Sequence, residues 1–158
     1  MKQITNELEN KIKQYIKAEK DISELIKDID LRNADLSHAI INNFDVSNQD
    51  ISGCRLVYAK IQKAKMIKTI AHNVQFNGAD MSYSNCSSID ARNSNFLDAN
   101  CMFTNFKYAD LRGVNVCAMT WTFSPKYFFK TKVSSNITDL IARICDIVND
   151  DTQLTFIE

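Results

Sequence analysis

The sequence predicts a mainly β solenoid, and three observations carry that prediction. Nineteen consecutive five-residue steps, from Leu31 to Trp121, each land on an apolar residue. The series runs Leu31, Leu36, Ile41, Val46, Ile51, Leu56, Ile61, Met66, Ala71, Phe76, Met81, Cys86, Ala91, Phe96, Cys101, Phe106, Leu111, Val116, Trp121. In a chain that is 45% apolar, chance gives such a run about once in a million. The polar residues share the period: the position before each apolar centre is Asp or Asn in 12 of 19 cases, and the position two before it is small or modest in 14 of 19. Finally, 3 Gly and 1 Pro are too few to make the corners of a β-rich chain. Asn, Asp and Ser must turn it instead, by bracing or tolerating turn conformations. A strict short period means that each unit buries its apolar side against its neighbours.

The clearest stretches are Ala34-Asp35-Leu36-Ser37, Ala79-Asp80-Met81-Ser82 and Ala109-Asp110-Leu111-Arg112. They resemble the pentapeptide-repeat family, whose unit is A(D/N)LXX, and the resemblance spans residues 29–123. It implies a right-handed quadrilateral β-helix with four quintets per coil, one on each side of a square. Nineteen quintets then make about five coils, a rod on the order of 23 Å long at the strand spacing of a sheet. Residues twenty apart should stack inside. One column is Leu31, Ile51, Ala71, Ala91, Leu111, and the next is Leu36, Leu56, Phe76, Phe96, Val116. The second column swells to phenylalanine where the first shrinks to alanine, as close packing requires.

The array is flanked by two other regions. In residues 1–28, Ile4, Leu8, Ile12, Tyr15 and Ile16 form a helical stripe. Asp21 followed by Glu24 reads as a capping box that opens a second short helix over Ile22, Leu25 and Ile26. In residues 124–158 the five-residue count places Lys126 and Thr131 at the centre, so the array is expected to stop near Phe123, with Ser124-Pro125 as its exit. A helix follows from Asn136, with Ile137, Leu140, Ile141, Ile144 and Val148 on one face, and Leu154–Ile157 reads as a short strand. Both flanks are expected to cap the open ends of the coil. A homodimer through the C-terminal segment is the sharper reading of Tyr127, Phe128, Phe129, Ile147 and Phe156. In the quinolone-resistance branch of the family a C-terminal helix makes such a dimer.

Composition narrows the function. With 19 basic and 19 acidic residues, the chain lacks the broad charge footprint of a nucleic-acid or membrane binder. Its apolar runs are too short to span a bilayer, and its start has no signal-peptide core. Five cysteines without a CxxC pair suit a reducing, cytoplasmic compartment. Cys54, Cys86 and Cys101 fall at inward positions and Cys117 at an outward one. His38 and His72 lie on different sides and coils, so no metal site is expected. No catalytic set, phosphate loop or cofactor motif stands out, so no cofactor is assigned.

The candidate binding residues are all outward. Arg55, Lys60, Lys63, Lys65 and Lys68 form a basic belt in one coil, and three of them replace the usual Asp or Asn. Tyr83, Phe103 and Phe123 form an aromatic ladder two positions after successive centres, with Met102 beside it. The ladder is expected either to bind a partner or to dock the C-terminal segment. These features indicate a non-enzymatic scaffold for an unknown protein partner. One alternative is a topoisomerase-binding DNA mimic, as in the quinolone-resistance members. That mimicry needs a strongly acidic surface, and this array has eight acids against nine bases. A second alternative is weak binding of nucleic acid, or of an acidic partner, through the belt.

Overall fold

A repeat five residues long, paired with itself every twenty residues, gives each turn of the chain four sides. That pairing is what the computed structural model shows; it describes residues 3–121, 125–134 and 155–156. Asp35 pairs in parallel with Arg55, Arg55 with Gln75, Gln75 with Asn95 and Asn95 with Asn115. Parallel columns run through Ile40, Lys60, Asp80 and Asn100, through Asp45, Lys65, Asn85 and Asn105, and through Asp50, Ile70, Asp90 and Asp110. Regular strands are only two residues long: β1 (Asn100–Cys101), β2 (Asp110–Leu111), β3 (Thr120–Trp121), β4 (Lys132–Val133) and β5 (Thr155–Phe156). The fold is a mainly β solenoid.

Most quintets turn by the same device. The Ala34 amide donates to the Leu31 carbonyl (3.0 Å) across a corner whose third residue, Asn33, has φ +59°. A positive φ at the third position alone is the type II pattern. The residue two after the centre is left-handed at every step from Asn33 to Ala118. The Asp or Asn before each centre braces its corner. Asp35 Oδ1 accepts the Ser37 amide (3.1 Å), Asp80 Oδ1 the Ser82 amide (3.0 Å) and Asn95 Oδ1 the Leu97 amide (3.1 Å). This side-chain mimic of a turn explains why the position favours those two residues.

The centres fill the interior. Every centre from Leu31 to Leu111 is buried, as are the small residues two before most of them. Phe76 and Phe96 stack with ring centroids 4.8 Å apart, and Phe106 meets Phe96 edge-on at 6.2 Å. Ala71 and Ala91, fully buried beside them, make the room. Buried hydroxyls stitch turn to turn. Ser94 Oγ donates to the Ala71 carbonyl (2.6 Å) and accepts the Val74 amide (2.9 Å). Ser84 Oγ bridges Ile61 and Ala64 in the same way. These two serines interpose themselves where other corners close directly, as Ala79 does on Phe76 (2.9 Å).

Both ends of the array run beyond the five-residue count. At the start, helix α1 (Asn6–Lys17) forms as expected, with Thr5 accepting the Leu8 amide at its N-terminus. It buries Ile12 and packs Leu8, Tyr15 and Ile16 on the core. The second helix expected from Asp21 does not form. Asp21 instead accepts the Ser23 amide (2.7 Å) and pairs with Ile40, while Ile22 and Ile26 enter the core. The same carboxylate can cap a helix or brace a corner, and here the unpaired edge of the first turn decides for the corner.

At the other end the ladder does not stop near Phe123. The Phe106 amide donates to Tyr127 (2.7 Å), Asp110 pairs with Lys132, and Lys132 pairs with Thr155. The spacing has grown from twenty to twenty-two residues, so Phe128 and Val133, rather than Lys126 and Thr131, take the inward positions and are buried. Thr131 takes the small inner position, its hydroxyl donating to the Phe106 carbonyl (2.6 Å). A short helix, α2 (Pro125–Phe128), occupies the shift. The helix expected from Asn136 lies outside the described residues.

Candidate recognition surface

Where Arg55, Lys60, Lys65 and Ile70 replace the bracing Asp or Asn, the corner loses its side-chain acceptor. For Lys60, Lys65 and Ile70 the turn beneath supplies one instead. Asn42 Oδ1 accepts the Gln62 amide (2.9 Å), Ser47 Oγ the Ile67 amide (3.3 Å) and Ser52 Oγ the His72 amide (3.3 Å). Behind Lys60, Lys65 and Ile70, polar residues twenty positions earlier thus take over the bracing. Sequence reasoning missed this compensation, although the spacing of twenty was there to suggest it.

All five belt residues are exposed. The acidic turn beneath partly answers them: Arg55 lies 3.9 Å from Asp35, and Lys65 3.9 Å from Asp45. Both pairs are solvent-exposed and weak. Lys60, Lys63 and Lys68 make no ion pair among the described residues.

The solenoid joins the belt to the aromatic ladder. Lys63, Tyr83 and Phe103 are twenty residues apart and occupy one corner column. The Tyr83 and Phe103 rings stack at 5.0 Å, and Tyr127 meets Phe103 edge-on at 6.4 Å. The start of the C-terminal segment thus touches the ladder. Phe123 lies outside the described residues. Two further tyrosines belong to the surface and were not singled out from sequence. Tyr58 lies against His38 (5.5 Å) and its ring covers Gly78, while Tyr108 meets Phe129 edge-on at 5.6 Å. Their corner position, the same as that of Tyr83, was the available signal. Tyr58, Tyr83 and Tyr108 are 58%, 60% and 53% exposed, and Met102 and Phe103 are 39% and 36% exposed. Phe128 lies in the core against Phe106 (5.5 Å), so it adds nothing to an outer surface.

Another side of the solenoid carries a charged ladder of different character. Asp30, Asp90 and Asp110 each accept hydrogen bonds from both Nε and a terminal nitrogen of the arginine two residues on, Arg32, Arg92 and Arg112. His72 Nε2 lies 2.9 Å from Asp90 Oδ2. Hydrogen bonds from Arg32 hold the Asp30 carboxyl well below the usual carboxylate range. Burial raises the Asp90 carboxyl, but hydrogen bonds from Arg92 and His72 outweigh it and bring it to about 2. These acids already hold cations, so they are poorly placed to act as proton donors at neutral pH. Cys54 and Cys86 are pushed up to about 12 by burial, and Cys101 is raised for the same reason. Cys117 is exposed.

Known proteins set this geometry in a family. A model of pentapeptide repeats matches the chain in 8 copies, over residues 29–66, 59–98 and 84–117. The chain belongs to the pentapeptide-repeat family. Solved structures similar to this pentapeptide-repeat protein include a pentapeptide-repeat protein from the thylakoid lumen of Arabidopsis thaliana, at 20% identity over 79% of this chain and 80% of that one, with a TM-score of 0.41. Rfr23 from the cyanobacterium Cyanothece 51142 is 24% identical over 65% and 61% of the two chains, with a TM-score of 0.33. QnrB1, a plasmid-mediated fluoroquinolone resistance protein, is 15% identical over 66% and 76%, with a TM-score of 0.26. No curated protein sequence matches the chain. Among the described residues, no helix is long and apolar enough to cross a membrane.

Proposed function

We propose that this pentapeptide-repeat protein is a non-enzymatic recognition scaffold, a rod that holds outward side chains at fixed spacing for a protein partner. One observation carries the reading: the belt and the aromatic ladder, far apart in sequence, meet at one corner column of Lys63, Tyr83 and Phe103. Catalysis needs groups converging in a pocket, whereas the inward side chains here fill the solenoid and the bracing Asp and Asn oxygens hold its corners. Helix α1 and the pairing of β4 with β5 serve as closures for the two ends of the coil. Three buried, unreactive thiols suit a reducing, cytoplasmic setting.

A pull-down from the native cell tests the role. Wild-type protein should retain a defined partner, and a variant with Arg55, Lys60, Lys63, Lys65 and Lys68 each changed to Glu should release it. Identical bound proteins for the two baits would refute a role for the belt. Turnover of a substrate by the purified protein would refute the non-enzymatic reading.

A further inference from the structure

The corner residues divide the solenoid into a structural side and a costly one. At the corner that follows Leu31, the left-handed position holds Asn33, Gly53, Asn73, Asn93 and Gly113 in successive turns, with φ between +57° and +72°. Asn and Gly are the residues that enter this region most readily. The other three corners mix favourable residues such as Asn43, Asn48, Gly78 and Asp98 with Tyr58, Lys63, Lys68, Tyr83, Phe103 and Tyr108, the last six at φ from +55° to +62°. Large side chains without a local hydrogen bond enter this region at a cost, and such outliers point toward function. The six wrap three successive corners, centred on the column of Lys63, Tyr83 and Phe103. Tyr58, Lys63 and Lys68 share one turn on successive corners, Tyr83 and Phe103 stand over Lys63, and Tyr108 follows Phe103.

We infer that this patch is a docking surface for an acidic polypeptide segment that also carries apolar side chains. The inference presupposes the recognition role and names its partner's chemistry. Charge complementarity selects the acid, since Lys60, Lys63 and Lys68 have no anionic partner among the described residues. Ring geometry selects polypeptide over single-stranded nucleic acid. Stacking of bases requires open ring faces, but Tyr58 lies on His38, and Tyr83 and Phe103 lie on each other. Stacking at Tyr58 and in the Tyr83–Phe103 pair leaves ring edges for a partner, and edges carry the positive part of the aromatic quadrupole and suit carboxylate oxygens. Tyr and Phe, both present in the patch, are enriched at protein interfaces.

The test uses the full chain and fluorescence anisotropy with three labelled probes: a twelve-residue peptide alternating Glu and Leu, the same peptide with Lys for Glu, and an oligo-dT of twenty nucleotides. The Glu-Leu peptide should bind, and the other two should bind at least tenfold more weakly. The paired variant Lys63→Asn/Lys68→Asn should weaken that binding roughly tenfold. Because Asn suits the corner, the same variant should melt higher than wild type, by about 2–4 °C for each substitution. Undiminished binding by the variant, a lower melting temperature, or preference for oligo-dT would each overturn the assignment. If no peptide binds while the pull-down still yields a belt-dependent partner, the partner chemistry is wrong and the scaffold role stands.

Discussion

Changing Ser94 to Ala removes a hydroxyl that sits inside a corner rather than beside it. The Ser94 hydroxyl is buried, donates to the Ala71 carbonyl at 2.6 Å and accepts the Val74 amide at 2.9 Å. Each hydrogen bond contributes about 0.5–1.5 kcal/mol net, so a rigid loss of both costs up to about 3 kcal/mol. The corner has a fallback, however. Ala79 closes directly on Phe76 at 2.9 Å, and once the serine oxygen is gone Val74 can close on Ala71 in the same way. The expected cost is therefore about 1 kcal/mol, since one net hydrogen bond is lost. Thr104 provides the control. Its hydroxyl donates to the Met81 carbonyl (2.8 Å), which already accepts the Ser84 amide (3.1 Å). Thr104→Val keeps the shape, leaves a closed corner, and should cost less than Ser94→Ala. Urea unfolding followed by circular dichroism gives both values from midpoints at unchanged slope. A cost of about 3 kcal/mol for Ser94→Ala would refute the ability of the corner to close on its own. No measurable cost would refute the bridge.

Three further outcomes follow from the packing and the charges. Phe96→Ala should cost about 3–5 kcal/mol in urea unfolding, and combining it with Phe76→Ala should cost less than the sum by about 0.5–1.5 kcal/mol, because the second truncation removes a stack already lost. Strict additivity would show that the rings do not interact. Asp90 has its carboxyl lowered from the ordinary value of 3.8 to about 2. A depressed folded-state value adds stability above the unfolded value, and that stability disappears as pH falls from about 4 to about 2. Acid unfolding of Asp90→Asn should therefore have a shallower slope over that interval, and an unchanged slope would show that Asp90 is not the group titrating. Labelling with a thiol reagent, read by mass spectrometry, should mark Cys117 at once and Cys54, Cys86 and Cys101 only on unfolding. Burial both hides these three and raises their thiols.

The interior of the array was legible in the sequence because apolar identity at every fifth residue and burial are one constraint. From Leu31 to Leu111 the period and the core coincide. The ends were legible in part: α1 forms over the expected stripe and β5 within the expected strand, but Asp21 and the exit of the array have two uses. Asp21 followed by Glu24 has the letters of a helix start, yet an Asx turn at Ser23 uses the same oxygen. Lys126 and Thr131 at the counted positions looked like a stop, but two extra residues return Phe128 and Val133 to the interior. A fixed period cannot register such an insertion; a hydrogen-bond ladder can, because it needs only that Phe106 find a carbonyl, and Tyr127 supplies it. At the surface, the belt was legible as charge and the ladder as aromatics. Their meeting at Lys63 and Tyr83 depends on the twenty-residue turn, which also explains how Asn42, Ser47 and Ser52 support corners that lack an acid.

The two kinds of corner bear on why a rod with zero formal net charge can still be directional in what it binds. The side with the Asp–Arg ladder leads into the corner of Asn33, Gly53, Asn73, Asn93 and Gly113, where conformational preference and charge are both satisfied within the chain. The diagonally opposite corner holds Lys63, Tyr83 and Phe103, where the backbone prefers other residues and the Lys63 amine is unpaired among the described residues. A repeat whose units were selected for stability alone would fill both corners alike, since the backbone geometry of the two is the same. The asymmetry therefore locates a second demand on the sequence, and it is strongest at the corner of Lys63, Tyr83 and Phe103.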